Sequence, residues 1–214
     1  MGTAYFGGSF DPPHNGHLAV ARGALASGEC SHVSWAVAFD PPHKLNRKRA
    51  SFADRMEMVG RLISGEADMS VSDIESRMEL HPSYTIDILR AWEKENKERP
   101  ALLIGADSLL ELHTWKEGRV LAQSYRVLTY PRRGCEVSAE KLMNNFNDEK
   151  IVKNLLSGVL AGSFFEISST NLRNSMEKSG FVDNIKEVTE TSAAVTAYIE
   201  GRKLYRQNPD SLEK

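Results

Sequence analysis

Phe6-Gly7-Gly8-Ser9-Phe10-Asp11-Pro12-Pro13-His14-Asn15-Gly16-His17-Leu18 joins a short apolar run, Thr3–Phe6, to helix-forming residues at Gly16–Ala26. Leu18, Ala21 and Leu25 fall near one face of that segment, as a packed helix requires. Glycines after a strand let the backbone turn sharply and approach a ligand closely, so Gly7-Gly8 is expected to form such a turn. The open N–H groups of the following helix can then point at a phosphate. The stretch is neither G-x-G-x-x-G nor a Walker loop, because Ser-Phe-Asp-Pro-Pro follows Gly8 and no G-K-[ST] is present. His14 and His17 flank Gly16 at the helix start, where the macrodipole disfavours imidazolium. The expectation is that both rings stay near neutrality until an anion arrives, and that protonation then becomes favourable. Gly16 removes a side chain where a polyphosphate would lie. One surface histidine in a plain strand-to-helix turn would need no explanation; the H-x-G-H pair points to phosphate.

Outward from this stretch, strand and helix signals alternate. Val33–Phe39 reads as a second buried strand, closed by Asp40-Pro41-Pro42. Ser51 with Asp54 resembles a capping box, and Phe52, Met56, Val59 and Ile63 then space like one helical face. Met69–Ile74 is a third strand. A helix is expected over Ser83–Asn96, with Thr85, Ile88, Leu89 and Trp92 on one side. Strands follow at Ala101–Ile104, Arg126–Tyr130 and Phe164–Ile167, the last running into Ser168-Ser169-Thr170 and a helix. This order predicts a Rossmann-like open parallel sheet with helices on both faces. It fits one domain over residues 1–214, with a C-terminal helical segment at about 168–206 packed on it. In such sheets ligands bind beyond the carboxyl ends of the strands. The pentapeptide FDPPH occurs at Phe10–His14 and again at Phe39–His43, each time after a strand. A shared strand-to-loop geometry explains both.

Composition narrows the function classes. A formal net charge of −2 gives no support to a nucleic-acid binder, so an anionic ligand must be caught by a local site. No apolar run approaches the roughly 18 residues of a membrane span, and the N-terminus shows no basic leader with an apolar core. The two cysteines, Cys30 and Cys135, lack metal-knuckle spacing. A cytoplasmic protein with reduced thiols is expected.

G-G-S-F-D-P-x-H-x-G-H resembles the first signature of the HIGH-type nucleotidyltransferase superfamily, in the form used by nicotinate-nucleotide adenylyltransferases. Ile167-Ser168-Ser169-Thr170-Asn171-Leu172-Arg173 is similar to the second signature, I-S-S-T-x-x-R. The resemblance implies that His14, His17 and Arg173 serve catalysis. It also implies that Gly7, Gly8, Ser9, Phe10, Gly16, Gly105, Asp107, Ser168, Ser169 and Thr170 bind ATP. Elementary chemistry agrees, because hydroxyls and open N–H groups at a helix start, with a guanidinium one turn on, suit an anion.

Pro42-His43-Lys44, Pro82-Ser83-Tyr84-Thr85 and Gly105-Ala106-Asp107-Ser108-Leu109-Leu110, with Trp115 downstream, resemble the nicotinate branch in particular. With the two signatures they span about Ala4 to Arg173. Trp115 can form a platform for a pyridine ring, and the helix start at Ser83, Tyr84 and Thr85 offers donors to its carboxylate. Asp107 is placed to accept from ribose hydroxyls, and Lys44 to meet a phosphate. Trp115 as a core residue and Asp107 as a helix cap are the structural alternatives. Arg132-Arg133-Gly134 resembles the family's arginine-containing loop near the nucleotide, with a solvated basic turn as the alternative. The chain departs from the family pattern at Lys116, where a tyrosine often stands, and in Val188–Tyr205, which lacks the usual proline.

The resemblance implies transfer of the adenylyl group of ATP to nicotinate mononucleotide, giving deamido-NAD and pyrophosphate. Mg²⁺ would be held chiefly by phosphate oxygens and water. Transferases acting on nicotinamide mononucleotide or phosphopantetheine, and a nucleotide-sensing protein without turnover, are the competing readings. A dehydrogenase would need the glycine fingerprint that is missing here. Between the two pyridine rings the acid is expected, because no acidic residue stands at Ser83–Thr85 and Asp87 is expected inside the helix.

Overall fold

The computed structural model describes residues 2–39, 49–78, 82–161, 168–179 and 190–205. Five strands, β1 (Thr3–Gly8), β2 (His32–Val37), β3 (Met69–Ser72), β4 (Ala101–Gly105) and β5 (Val127–Tyr130), pair in parallel in the order β3-β2-β1-β4-β5. The connections carry α1 (Asn15–Ala26), α2 (Phe52–Leu62), α3 (Ile74–Arg77), α4 (Thr85–Asn96), α5 (Ala106–Glu111) and α6 (Gly118–Ser124). After β5 come α7 (Ala139–Phe146), α8 (Glu149–Ser157), α9 (Ser169–Ser179) and α10 (Ala193–Gly201).

Alternation along each strand sorts side chains onto two faces. Phe6, Trp35, Leu103 and Leu128 pack with Leu18, Met58, Val59, Leu172, Val195 and Ile199 on one face. Tyr5, Leu102, Ile104 and Val127 pack with Ile86, Leu89, Leu121, Leu142 and Ile151 on the other. A sheet buried on both faces is what the near-continuous apolar strands require. The chain passes from β3 at one edge to β4 on the far side of β1, so the strand order reverses between β1 and β4. A crevice opens there at the carboxyl ends, which is where an open α/β sheet takes its ligand.

One expectation needs correction. The third strand ends at Ser72, not Ile74, because the Ser72 hydroxyl accepts from the Ile74 N–H and starts α3. The α2 face expected at Phe52, Met56, Val59 and Ile63 packs on the core, with Val59 and Ile63 buried and Phe52 and Met56 half-buried. A neighbouring face carrying Asp54, Arg55, Met58 and Leu62 is buried as well. Polar partners rotate that face inward: Asp54 accepts from Tyr198 and Arg202 at α10, and Arg55 donates to three backbone carbonyls. The strand expected at Phe164–Ile167 lies outside the described residues; beside β5 a parallel bridge joins Val159 to Thr129. Ser51 caps α2 as expected, accepting from the Asp54 N–H and donating to its carboxylate. Cys30 and Cys135 are free thiols.

Candidate active site

The sharp turn after β1 is not made by the glycines. Gly7 and Gly8 are still in the strand, in register with Ala36 and Val37. A Cβ on Gly7 would come within 2.9 Å of the Tyr5 ring, and one on Gly8 within 2.9 Å of the Phe10 ring. Glycine is therefore needed here for close packing of aromatic rings. The turn falls at Phe10, whose φ of +46° lies in the left-handed region that non-glycine residues rarely adopt. Its ring is buried against Phe6, His17 and Trp35, and that packing holds the backbone in place.

His14 and His17 cap the helix reciprocally. His14 is the N-cap of α1, and its Nδ1 accepts from the His17 N–H at 3.3 Å. The His17 Nδ1 accepts from the His14 N–H at 3.2 Å, and the rings stack with centroids 3.6 Å apart. A nitrogen that accepts carries no proton, so the ring proton of each neutral histidine sits on Nε2. Each ring thus keeps one N–H donor for a ligand without becoming charged. Burial first, and then the charge of Arg132, pull His14 down to about 4. In the ligand-free chain the His14 ring is therefore neutral, as expected, and burial and Arg132 act there beside the helix dipole.

A cavity of about 320 Å³ opens over these rings, lined by Ser9, Phe10, Asp11, His14, His17, Arg49, Arg132, Arg173 and Ser168 to Thr170. Its far wall is the start of α9. The Ser169 hydroxyl donates to the Pro12 carbonyl at 3.0 Å. Arg173 donates to the Asp11 carbonyl, lies 3.6 Å from the Asp11 carboxylate, and donates to the Thr170 hydroxyl at 3.3 Å. The C-terminal segment closes the back: Thr191 donates to the Pro13 carbonyl and Tyr205 to the Asp11 carboxylate at 2.6 Å. Arg132 donates to Asp107 at 2.5 Å, an exposed ion pair of the kind that contributes little to stability and gives way readily.

On the other side of Ser9 lies a second cavity of about 210 Å³, whose lining includes Tyr5, Gly7, Gly8, Glu75, Ser83, Thr85, Ile88 and Trp115. Tyr84 is the N-cap residue of α4 and Thr85 opens its first turn, whose N–H groups a helix leaves without intrahelical acceptors. Asp87 sits inside α4 as expected, but in its first turn, and pairs with Lys116 at 2.7 Å. Lys116 in turn stands 4.8 Å over the Tyr84 ring. Glu75 is buried, and burial pushes its carboxyl above the ordinary range although Ser83, the Phe39 N–H and Tyr5 all donate to it. Ser9 lines both cavities, so one side rich in cations and hydroxyls meets one side with an aromatic platform.

The family model described as cytidylyltransferase-like matches residues 5–175, most of the chain. A probable nicotinate-nucleotide adenylyltransferase of Gloeobacter violaceus is 33% identical over 203 residues, covering 94% of each chain. The chain belongs to the nicotinate-nucleotide adenylyltransferase family. Among solved structures, the nicotinic acid mononucleotide adenylyltransferase of Plasmodium falciparum complexed with APC superposes with a TM-score of 0.73 at 18% identity, over 95% of this chain and 96% of that one. The same protein complexed with NaAD gives 0.71 at 18% identity, over 96% and 97%. These two share the fold.

The family's two signatures, far apart in sequence, meet in the first cavity: Ser9, Phe10, His14, His17, Ser168, Ser169, Thr170, Arg173 and Arg132 all line it. Trp115 and Thr85 meet in the second, and Gly7 and Gly8 line that side rather than the first. Tyr84, 40% exposed, lies outside both linings, as do Gly16, Gly105 and Asp107. Gly16 is buried in the first turn of α1. A Cβ on Gly105 would strike Asp107 and Tyr130, and Asp107 reaches the first cavity only through Arg132. Lys44 lies outside the described residues. Sequence reasoning missed Arg49, Glu75 and Arg55. Arg49 belongs to a basic run, Arg47-Lys48-Arg49, that could have drawn notice. Glu75 and Arg55 look like ordinary surface charges of short helices and carry no local signal.

Proposed function

We propose that the chain transfers the adenylyl group of ATP to nicotinate mononucleotide, forming deamido-NAD and releasing pyrophosphate, as one cytoplasmic catalytic unit over residues 1–214. The observation that carries this reading is the meeting of two unlike cavities at Ser9, beyond the carboxyl end of β1. A triphosphate in the first and a pyridine ring in the second would bring a mononucleotide phosphate against the α-phosphorus. A phosphate monoester is already ionised near neutral pH. Its oxygen forms the new P–O bond while the bond from the α-phosphorus to the bridging oxygen breaks, and pyrophosphate leaves with that electron pair. No general base is required, so the work is positioning and charge stabilisation.

His14 and His17 would donate Nε2–H to phosphate oxygens. Arg173, Arg132 and Arg49 would balance the leaving pyrophosphate, and the hydroxyls of Ser168, Ser169 and Thr170 would complete its surroundings. Asp107 would exchange Arg132 for ribose hydroxyls. Trp115 would stack on the ring, and the first turn of α4 at Thr85 would face its carboxylate. Among the described residues no group of three His, Cys, Asp or Glu side chains could hold a metal ion, and Asp11 is the one carboxylate in the first lining. That donor set fits Mg²⁺ only as a companion of the triphosphate, held by phosphate oxygens and water. When bound, the ion neutralises triphosphate charge.

The test is side-by-side turnover of nicotinate and nicotinamide mononucleotides with ATP. An amide brings N–H donors against the donors of the α4 start, a mismatch of about 1–3 kcal/mol. The acid is expected to be preferred by roughly tenfold to a hundredfold in kcat/KM. Equal turnover of both would refute the recognition of the carboxylate, and absence of turnover with either would refute the activity.

A further inference from the structure

Glu75 is 5% exposed and has no part in the phosphate chemistry above. Its Oε1 accepts from the Tyr5 hydroxyl of β1 at 3.1 Å. Its Oε2 accepts from the Phe39 N–H just beyond β2 at 3.2 Å and from the Ser83 hydroxyl at 2.9 Å. The middle of β1, the segment just beyond β2 and the approach to α4 therefore converge on one side chain. Only a carboxylate has the acceptor capacity for three donors arriving from three directions, since an amide would present its own N–H₂ to one of them. A buried carboxyl group is costly unless its partners are satisfied by it. Ser83 stands two residues before α4 begins, and Glu75, Ser83, Thr85 and Trp115 line the same cavity.

We propose that Glu75 is a positioning residue for the pyridine ring: by anchoring Ser83 it sets the first turn of α4, and the donors at Thr85, opposite Trp115. This rests on the assignment of that cavity to the mononucleotide ring. The effect is confined to one substrate, because Glu75 is absent from the lining of the phosphate cavity. A Glu75 that acted through negative charge would oppose a ring carboxylate, and neutralising it would tighten binding. An anchor predicts the reverse sign.

The experiment is steady-state kinetics of the full chain with ATP and nicotinate mononucleotide for wild type, Glu75→Ala, Glu75→Gln, Ser83→Ala and the double variant Glu75→Gln/Ser83→Ala. Glu75→Ala is expected to raise KM for the mononucleotide tenfold or more and to leave KM for ATP within twofold. Glu75→Gln keeps the shape and one acceptor oxygen, so its rise should be smaller. Ser83→Ala cuts the anchor while leaving the Tyr5 and Phe39 contacts, and should raise the same KM, with little further change in the double variant. If Glu75→Ala does not fold, Glu75→Gln and Ser83→Ala decide alone. A mononucleotide KM that is unchanged or lowered, or a rise shared equally with ATP, overturns the anchor while the activity stands. A wild-type chain without adenylyl transfer to the mononucleotide overturns both.

Discussion

Replacing His14 by Asn separates two jobs that one ring performs. The His14 Nδ1 caps α1 by accepting from the His17 N–H, while its Nε2–H is the donor assigned to phosphate. Asparagine places an acceptor oxygen close to Nδ1, and it is among the best N-cap residues. It has nothing at the position of Nε2. His14→Asn should therefore keep stability within about 1 kcal/mol of wild type, whereas His14→Ala should lose the cap, about 0.5–2 kcal/mol. In a chain of this size, each kcal/mol moves the melting temperature by roughly 2–4 °C. Turnover should fall in both variants by about 10²–10³-fold, the scale for removing one preorganised donor from developing charge. The ring also carries a pH signature. Burial lowers His14 from 6.5 to about 4, so between those values the unfolded chain binds a proton that the folded chain refuses. The associated stability is fully present above pH 6.5 and is lost as pH falls to about 4, a difference of about 3 kcal/mol. His14→Asn cannot titrate there and should melt with less sensitivity to acid. Pyrophosphate release at saturating substrates and circular-dichroism melts at pH 7 and pH 5 measure both effects. Turnover of His14→Asn within threefold of wild type would refute the phosphate role, and an unchanged loss of stability on acidification would refute the buried neutral ring.

Trp115→Ala should raise KM for the mononucleotide about five- to a hundredfold, because stacking is worth roughly 1–3 kcal/mol per ring, and should leave ATP nearly untouched; equal damage to both substrates would make Trp115 a core residue only. Arg55 is 3% exposed and donates to the carbonyls of Ser9, Ala38 and Ala50 at 2.9, 2.7 and 3.3 Å. Arg55→Met leaves those acceptors buried without a donor at about 1–3 kcal/mol each, so a chemical denaturation midpoint equal to that of wild type would show that the carbonyls find other donors.

The parallel sheet could be anticipated because alternating apolar strands and helices admit few arrangements, and handedness removes most of those. The histidine pair was legible for a local reason: a helix start shows its chemistry within four residues of sequence. The position of the turn was not. Gly7-Gly8 reads as a flexible corner, yet Tyr5 and Phe10 fold back over both glycines, so the corner moves to Phe10. The neutrality of His14 was anticipated from the dipole, but burial and the charge of Arg132 also lower the ring, and only the packed structure reveals them.

The sequence alone determined the class of the sheet, the crevice at the carboxyl ends and the two signature segments that supply cations and hydroxyls. Each of these depends on periodicity or on neighbours a few residues apart, and such couplings are written contiguously in the chain. Tertiary structure alone decided that Ser168 to Arg173 reach across to Asp11 and Pro12, that Arg132 waits on Asp107, and that Glu75 joins Tyr5 to Ser83. Apart from the Glu75–Ser83 bond, those contacts join residues tens of positions apart, or more than a hundred. A charged side chain on a short helix carries no local mark of whether folding will leave it in water or bury it among donors.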